Sequence, residues 1–297
     1  MTSVVTIGNF DGVHRGHLAL IARTTAEATQ RGARAVALTF DPHPAAVLRP
    51  DAVPAALQSL EERTALLRES GCDEVVVVPF DAAFAAQGPE EFVDRLLVDR
   101  LAAELVVVGT NFRFGRAAAG DVALLIALGE QRGFGVEAVG LVDLGDGPVS
   151  SSALRSQLAA GDVEVVARGL GRPFSLTGEV VHGEGRGRTI GIPTANVAVA
   201  EGRALPADGV YACWAGAEGG GRTPAVVNVG WRPTFAGTSR SVEAHLLVDD
   251  GPDLYGQRLI LEFVARVRGE QRFEGPEALV ARIHEDIRMA RELLLAP

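Results

Sequence analysis

The chain has 297 residues, of which 47% are hydrophobic and 22% charged, and its net charge is −10 at pH 7. This length predicts about two domains with separate cores. The acidic charge argues against a general nucleic-acid binder, which needs a basic surface. All 28 Lys and Arg positions are arginine. A chain without lysine excludes a Walker loop, an ATP-gripping kinase lysine and Schiff-base chemistry.

Cysteine usage and hydropathy bear on the compartment. Cys72 and Cys213 are far apart and form neither a disulfide framework nor a CxxC metal pair, which is typical of a reducing compartment. The sequence has no apolar run of about 18 residues and no leader pattern. We therefore expect a cytoplasmic protein that binds small molecules, without a membrane or nucleic-acid partner. Self-association is left open by the sequence.

Strand-like and helical patterns alternate through the first half of the chain. Helical patterns with caps such as the Ser59/Glu62 capping box separate the apolar runs. The strands are predicted at Val4–Ile7, Ala35–Phe40, Glu74–Val78, Leu105–Gly109 and Val136–Val142. The helices are predicted at Gly16–Arg31, Ser59–Ser70, Pro89–Leu101 and Asp121–Arg132. Val-rich strands between helices predict a parallel sheet covered on both faces, that is, a doubly wound α/β domain.

The pattern changes after Gly147. A helical stretch with two potential caps covers Ser151–Leu170, and an amphipathic helix is predicted over Pro276–Leu295. The strands between them are predicted at Gly178–His182, Ala195–Val199, Val210–Ala215, Ala225–Val229, Val242–Val248 and Leu259–Val267. Six strands without intervening helices predict an antiparallel barrel or sandwich. We place the domain boundary near Arg172–Pro173, which gives domains of residues 1–172 and 173–297.

The first motif, TIGNFDGVHRGHLALI, covers Thr6–Ile21. It follows the first predicted strand and opens the first long helix, at the sheet edge where doubly wound folds bind ligands. Its glycines let a polyphosphate approach the backbone, and the helix N-terminus offers free N–H groups. His14 and His17 are three residues apart, so both can face one phosphate. The alternatives are a turn with surface histidines or an HxxH metal pair, which lacks a third nearby ligand.

This segment resembles the nucleotidylyltransferase superfamily with its HxGH signature. The full string GNFDGVHRGH looks like the FMN adenylyltransferase module of bacterial bifunctional riboflavin kinase/FAD synthetases. TFDPHP at Thr39–Pro44, GTNFRFG at Gly109–Gly115 and VSSSALR at Val149–Arg155 also agree. The resemblance implies that His14 and His17 are catalytic. It implies ATP contacts from Gly8, Phe10, Asp11, Gly16, Asn111, Ser151, Ser152 and Arg155, and flavin contacts from Asp41, His43 and Phe112.

The chemistry of adenylyl transfer fits these residue types. The FMN phosphate, with a second pKa near ~6, is already a nucleophile at neutral pH. It needs positioning and charge neutralisation rather than a base, and two histidines with Mg²⁺ supply both. We expect Ser151 and Ser152 to cap a helix whose N-terminus holds triphosphate oxygens, with Arg155 as a fixed cation.

The second motif, GEGRGRTIGIPTAN, covers Gly183–Asn196 between two predicted strands. Gly185 and Gly187 allow backbone contact with ATP phosphates, while Thr194 and Asn196 offer oxygen ligands for Mg²⁺. A glycine-rich hairpin turn is the simpler interpretation of the residues alone. GRxxGxPTAN, however, resembles the riboflavin kinase signature. VNVGWRPTF and the arginine-rich end segment follow in the order of the family.

This resemblance makes Glu243 the general base of the kinase. The ribityl 5′-hydroxyl is a poor nucleophile, so a kinase acting on it benefits from a base. The resemblance also implies Mg²⁺ at Thr194 that bridges the ATP phosphates. From the residues alone, a solvated strand residue is an equal interpretation of Glu243. His245 is expected to support the structure.

The two motifs together predict a bifunctional enzyme. It converts riboflavin and ATP to FMN and ADP, then FMN and ATP to FAD and pyrophosphate, with Mg²⁺ as cofactor. One alternative is a riboflavin kinase whose adenylyltransferase domain is weak or has altered specificity. Another is a non-catalytic flavin-binding regulator, against which the intact His14, His17, Thr194 and Glu243 argue.

Overall fold

The computed structural model describes residues 1–145, 147–183, 191–217, 220–234, 237–248 and 254–295. The chain divides into two compact units, Met1–Ser151 and Ser152–Pro297. Within the described residues, no helix combines the length and the apolar character needed to cross a membrane.

The first unit alternates strands and helices. Its elements are β1 (Ser3–Ile7), α1 (Arg15–Arg31), β2 (Arg34–Asp41), α2 (Pro44–Leu48), α3 (Leu60–Glu69), β3 (Glu74–Pro79), α4 (Ala82–Ala85), α5 (Pro89–Phe92), β4 (Ala103–Gly109), α6 (Val122–Arg132) and β5 (Gly135–Val139). A π-helical stretch, Val93–Arg100, continues α5. The predicted capping box of Ser59 and Glu62 is present at the start of α3.

The five strands form one sheet of order β3-β2-β1-β4-β5, and every neighbouring pair is parallel. This confirms the predicted doubly wound α/β fold. All five residues of the central strand β1 are buried. The chain leaves β1 for β2 on one side and later places β4 on the other side. The carboxyl ends of β1 and β4 therefore flank the switch point where open α/β sheets bind ligands.

The second unit begins with two helices, α7 and α8, continues as a barrel and ends with the helix α9. Its elements are α7 (Ser151–Ala160, which begins at the last residue of the first unit), α8 (Val163–Leu170), β6 (Phe174–Val181), β7 (Ala195–Val199), β8 (Gly209–Ala217), β9 (Thr223–Thr234), β10 (Gly237–Leu246), β11 (Arg258–Gly269) and α9 (Pro276–Leu295). The strands close into an antiparallel barrel of order β10-β7-β6-β11-β8-β9. Of the two predicted architectures, the barrel is the one that forms.

The corner between α7 and α8 is attached to the barrel by Arg266. Its Nη1 donates to the carbonyl of Ala160, at the end of α7, at 3.1 Å, and its Nη2 donates to the carbonyl of Asp208 at 2.9 Å. A cation at a helix C-terminus also interacts favourably with the helix dipole. These contacts join α7 to the barrel within the second unit. The boundary expected near Arg172–Pro173 stays a prediction.

Strand ends differ from the prediction where pairing partners decide them. β6 begins at Phe174, four residues before the predicted Gly178, because Phe174 pairs with Phe263 of β11. β10 begins at Gly237, well before the predicted Val242, because its first half pairs with β9. β11 is far from β6 in sequence, so local patterns carry no sign of the β6 extension, whereas β9 directly precedes β10 in the chain.

Candidate active sites

The turn between β1 and α1 has an unusual backbone. Phe10, Gly12 and Val13 have φ angles of 49°, 89° and 37°. A non-glycine residue in this region costs roughly 1–3 kcal/mol and persists only where its surroundings impose it, commonly at functional sites. Here the surroundings are the core, because the side chains of Phe10 and Val13 are fully buried. The core thus fixes the conformation of the turn that carries His14.

The two motif histidines lie together at the start of α1. Their rings stack with centroids 3.6 Å apart and planes inclined by 17°. His14 caps the helix, and its Nδ1 accepts a hydrogen bond from the backbone N–H of His17 at 3.3 Å. The Phe10 ring meets His17 edge-on at 5.1 Å. Both imidazoles thus lie side by side at the helix N-terminus, and their facing one ligand group stays a prediction.

Burial, and the proximity of His14, lower the pKa of the His17 imidazole well below its ordinary value. His17 is therefore neutral at pH 7. Its Nδ1 is buried and has no hydrogen-bond partner among the described residues. A neutral imidazole retains one N–H that it can donate to an anion.

The motif glycines make room for these rings. A Cβ on Gly16 would lie 3.0 Å from Cε1 of His14, and one on Gly8 would lie 3.2 Å from the Phe10 ring. Both distances are shorter than an ordinary carbon–carbon contact of about 3.5–4.0 Å. Gly8 and Gly16 thus support the packing of the turn as well as leaving its backbone accessible.

The side chain of Asp11 has a structural role. Its carboxylate accepts hydrogen bonds from the backbone N–H groups of Leu57 and Gln58, at 3.0 and 3.2 Å. Its backbone carbonyl accepts a hydrogen bond from the Ser151 hydroxyl at 2.8 Å. Ser151 and Ser152 are the first two residues of α7 rather than its cap. The predicted contact of Asp11 with ATP stays a prediction.

Arg63 of α3 is a site residue that the sequence analysis missed. It is buried, and its guanidinium donates to the carbonyls of Asn9 at 2.8 Å and Phe40 at 3.0 Å. It thereby joins the turn after β1 to the end of β2. Burial lowers the pKa of Arg63. An arginine within an ordinary helical pattern carries no signal of this role in a single sequence.

The predicted flavin contacts lie at the ends of two strands. Asp41 is exposed at the end of β2, and His43 caps α2 through Nδ1, which accepts from the N–H of Ala45 at 3.1 Å. His43 Nε2 lies 3.5 Å from Asn9 Nδ2, beside the β1 turn. Phe112 follows β4 and stacks on Phe114 at 5.5 Å.

A cluster of phenylalanines covers the ends of these strands. Successive ring centroids lie 5.4–6.2 Å apart along the series Phe40, Phe84, Phe92 and Phe114. Phe80 packs against Phe40 and Phe84. Phe40 and Phe84 are only partly buried, so the cluster offers an apolar surface. Asn111 is exposed in the same loop as Phe112. Phe80 and Phe84 belong to no quoted motif, so they were not predicted as site residues.

Ser152 and Arg155 lie on α7 in the second unit. Their contact with ATP stays a prediction. Gly185 and Gly187 of the second motif lie outside the described residues, so their predicted phosphate contacts also remain predictions.

The second site is a row of polar residues across three barrel strands. Glu243 of β10 pairs with Asn196 of β7 on one side and with Asn228 of β9 on the other. Directly paired residues of antiparallel strands point to the same face, with Cβ atoms about 4.5–5.5 Å apart. Val242 and Ala244, the neighbours of Glu243, are buried, so the row lies on the outer face of the barrel. The fold thus pairs Glu243 with Asn228, 15 positions earlier in the chain, and with Asn196, 47 positions earlier.

The end of the second motif is held beside this row. The Nδ1–H of His245 donates to the carbonyl of Pro193 at 2.8 Å, which fixes Thr194 next to β10. A Cβ on Gly183 would overlap the Asn196 carboxamide, so glycine is needed there. The expectation that His245 has a structural role agrees with its hydrogen bond.

The residues of the PTAN segment suit a hard cation. Thr194 and Asn196 provide neutral oxygen donors, which Mg²⁺ accepts when phosphate and water complete its shell. The described part of the chain contains no group of three or more His, Cys, Asp or Glu side chains that could form a metal cage. The donor set therefore fits a metal ion that arrives with its nucleotide.

Comparisons with known proteins match each half of the chain to a different family model. Residues 1–153 match the family model described as FAD synthetase, and residues 170–294 match the one described as riboflavin kinase. The chain is 40% identical over 289 residues to a bifunctional riboflavin kinase/FMN adenylyltransferase of Escherichia coli (strain K12), covering 97% of this chain and 92% of that protein. The proteins of the same description from Pseudomonas fluorescens and Bacillus subtilis (strain 168) are 41% and 34% identical, covering 98% and 96% of this chain and 92% and 90% of theirs.

A solved structure shares the whole fold. The crystal structure of a macrolide-efflux protein from Streptococcus pneumoniae superposes with a TM-score of 0.89 at 28% identity, covering 98% of this chain and 94% of that one. The efflux name concerns that protein, whereas both family models and the curated relatives describe flavin enzymes. The chain belongs to the bifunctional riboflavin kinase/FMN adenylyltransferase family.

Proposed function

We propose that this chain phosphorylates riboflavin on the outer face of its barrel and adenylylates FMN at the β1–α1 turn. The first reaction consumes ATP and yields FMN and ADP, and the second consumes another ATP and yields FAD and pyrophosphate. The observation that carries the proposal is that each compact unit has its own polar site. One site holds two stacked histidines and the other holds Glu243 between two asparagines.

At the first site the FMN phosphate is the nucleophile. One of its oxygens attacks the α-phosphorus of ATP, the bond to the β-phosphate oxygen breaks, and pyrophosphate leaves. His14 and His17 donate hydrogen bonds to the charge that develops on the α-phosphate. The N-terminus of α1 adds its free N–H groups and dipole. The neutral state of His17 supports the donor role, because a neutral ring retains one N–H.

ATP and flavin occupy neighbouring parts of the sheet edge in this proposal. ATP lies over the turn of Gly8, Phe10, Asp11 and Gly16, between the ends of β1 and β4, and also contacts Asn111 and Ser151. The flavin lies at Asp41, His43 and Phe112. The phenylalanine cluster supports this choice, since an isoalloxazine ring needs an apolar aromatic surface. His43 lies within hydrogen-bonding distance of Asn9, so the proposed flavin and ATP areas adjoin each other.

At the second site the nucleophile is a hydroxyl. Glu243 accepts the proton of the ribityl 5′-hydroxyl while that oxygen attacks the γ-phosphorus, and ADP leaves. Gly185 and Gly187 contact the phosphates of ATP, and Thr194 and Asn196 would hold Mg²⁺ through their side-chain oxygens. When bound there, Mg²⁺ neutralises negative charge on the ATP phosphates. The alignment of Asn196 and Glu243 in one register pair supports this arrangement of nucleotide and base.

A cytoplasmic location is part of the proposal. Cys72 and Cys213 are free and buried, which suits a reducing compartment. Burial raises the pKa of Cys72 to about 11 and raises that of Cys213 well above its ordinary value. Neither thiol is a nucleophile at neutral pH.

A time course tests the proposal. Purified protein is incubated with riboflavin, ATP and MgCl₂, and the flavins are separated by chromatography. FMN should accumulate first and FAD should follow, with one pyrophosphate released per FAD, and chelation of the metal should stop FMN formation. FMN without FAD would support the alternative of a kinase with a weak adenylyltransferase domain. Absence of both products would overturn the proposal.

A further inference from the structure

The segment after β11 reaches the face of the barrel that carries Glu243. β8 separates β11 from β9, and its first residue, Gly209, pairs with both Gly269 of β11 and Val229 of β9. A Cβ on Gly209 would lie 2.5 Å from the carbonyl oxygen of Arg268, so the absence of a side chain lets the strands come close. The chain can therefore pass from β11 over the start of β8 towards β9.

Glu270, in the segment after β11, lies beside β9. A Cβ on Gly230 of β9 would lie 3.6 Å from Oε1 of Glu270 and 3.4 Å from Nδ2 of Asn228. Asn228 and Gly230 share one face of β9 because they are two residues apart. Asn228 is also the register partner of Glu243. The Glu270 carboxylate thus lies beside Gly230, which is the diagonal neighbour of Glu243 on the same face of the sheet.

A buried ion pair anchors the start of this segment. Arg268 Nε lies 3.0 Å from both oxygens of Asp286 in α9, and its Nη2 donates to Oδ2 at 2.8 Å. The Asp286 side chain is 2% exposed and the Arg268 side chain 11% exposed. The guanidinium also lies 5.7 Å from the centre of the Phe273 ring. The ends of the segment are thus attached to the helix and the barrel, which limits the positions open to Glu270.

We infer that Glu270 is a second acidic residue of the phosphoryl-acceptor site, where it accepts hydrogen bonds from the secondary hydroxyls of a polyol chain whose terminal hydroxyl faces Glu243. This inference rests on the proposed function. Glu243 and its diagonal neighbour Gly230, beside which Glu270 lies, are about 7–8 Å apart. The hydroxyls of a ribityl chain can bridge a span of this size. A carboxylate accepts hydrogen bonds and donates none, which suits hydroxyls and disfavours an additional phosphate. Gly230 has no side chain, so it places none between the two acids.

The test compares Glu270→Ala with Glu274→Ala, an exposed carboxylate of the same segment. Loss of a hydrogen bond to a charged acceptor should raise KM for riboflavin about tenfold to a hundredfold. The value of kcat should change much less, since Glu243 is intact, and Glu274→Ala should match the parent. Gly230→Ala should also raise KM, because its methyl group occupies the space beside Glu270.

Riboflavin analogues that each lack one secondary ribityl hydroxyl give the sharper measurement. With the analogue that lacks the hydroxyl bound by Glu270, Glu270→Ala should cause no further rise in KM. An unchanged KM in Glu270→Ala, or an equal penalty for every analogue, would overturn the inference while leaving the proposed function standing. Failure of the parent protein to make FMN at all would overturn both.

Discussion

The two sites of this enzyme differ in how the chain assembles them. At the β1–α1 turn, the proposed catalytic groups lie within a single short segment, and a strained turn and helix cap place His14 and His17 against each other. On the barrel, Asn196, Asn228 and Glu243 come from three strands and meet only through their register. A site built on one turn depends on local backbone geometry, whereas a site built across strands depends on closure of the whole barrel.

The difference extends to the chemistry. A phosphate nucleophile needs no base, so the turn provides hydrogen-bond donors and a helix dipole. A hydroxyl nucleophile does need one, and the barrel provides a carboxylate flanked by two amides. We expect substitutions to affect one reaction and leave the other intact.

The largest separate effect should come from Glu243→Gln. Loss of a general base typically costs about 10²–10⁴-fold in rate, so FMN formation from riboflavin should nearly cease. FAD formation from supplied FMN should stay close to the parental rate. Product chromatography with each substrate measures both reactions, and Glu179→Gln, an exposed carboxylate on β6, is the matched control. Equal loss of both activities in Glu243→Gln would contradict two separate sites.

The reciprocal effect should come from replacing His14 and His17 together by Ala. FAD synthesis should fall by about 10²-fold or more, because loss of one transition-state donor costs roughly 10²–10³ in kcat. Phosphorylation of riboflavin should be preserved. His284→Ala on α9 serves as the control for loss of an exposed histidine. A double variant that makes FAD at the parental rate would remove the histidines from the mechanism.

The metal requirement should differ from that of a preformed cage. Thr194 and Asn196 are uncharged, so titration calorimetry should detect almost no Mg²⁺ binding without nucleotide and clear binding with ADP. Thr194→Ala should reduce phosphorylation far more than riboflavin binding, and Thr194→Ser should restore most of the rate. Tight Mg²⁺ binding to nucleotide-free protein that Thr194→Ala abolishes would contradict this description of the site.

The smallest effect concerns acid stability. The pKa of His17 is lowered in the folded protein, so the unfolded state binds a proton more readily below about pH 6.5. His17 therefore costs stability as the pH falls from about 6.5 towards its folded-state pKa. The drop in melting temperature between pH 7.5 and 5.5 should be smaller for His17→Gln than for the parent. An unchanged or larger drop would show that His17 does not contribute to acid sensitivity.

The sequence predicted the first unit better than the second. Strand–helix alternation encodes a parallel sheet locally, and the positions of β1, α1 and α3 followed from apolar periodicity and the Ser59 cap. The barrel was left open as barrel or sandwich, because closure is decided by pairing between distant strands such as β10 with β7. The extension of β6 to Phe174 has the same cause.

The candidate sites show the same limit. His14 and His17 were predictable because they belong to one contiguous motif, and Glu243 was assigned its role through family resemblance. Arg63 and Glu270 were missed, since each acts on residues far away in sequence: Arg63 on the carbonyls of Asn9 and Phe40, and Glu270 beside Gly230. Asp11 was expected to serve ATP, yet its carboxylate binds the backbone of Leu57 and Gln58.

Mixing two variants, each defective in one of the two reactions, tests the central claim most directly. Glu243→Gln protein and the His14→Ala/His17→Ala protein are each incubated with riboflavin, ATP and MgCl₂, alone and together, and FAD is measured over time. Neither alone should make appreciable FAD, while the mixture should make it after a lag during which FMN passes from one protein to the other. The contradicting result is a mixture that makes no more FAD than the two variants do separately, although each retains its own partial reaction. The two sites would then not act independently through FMN released into solution.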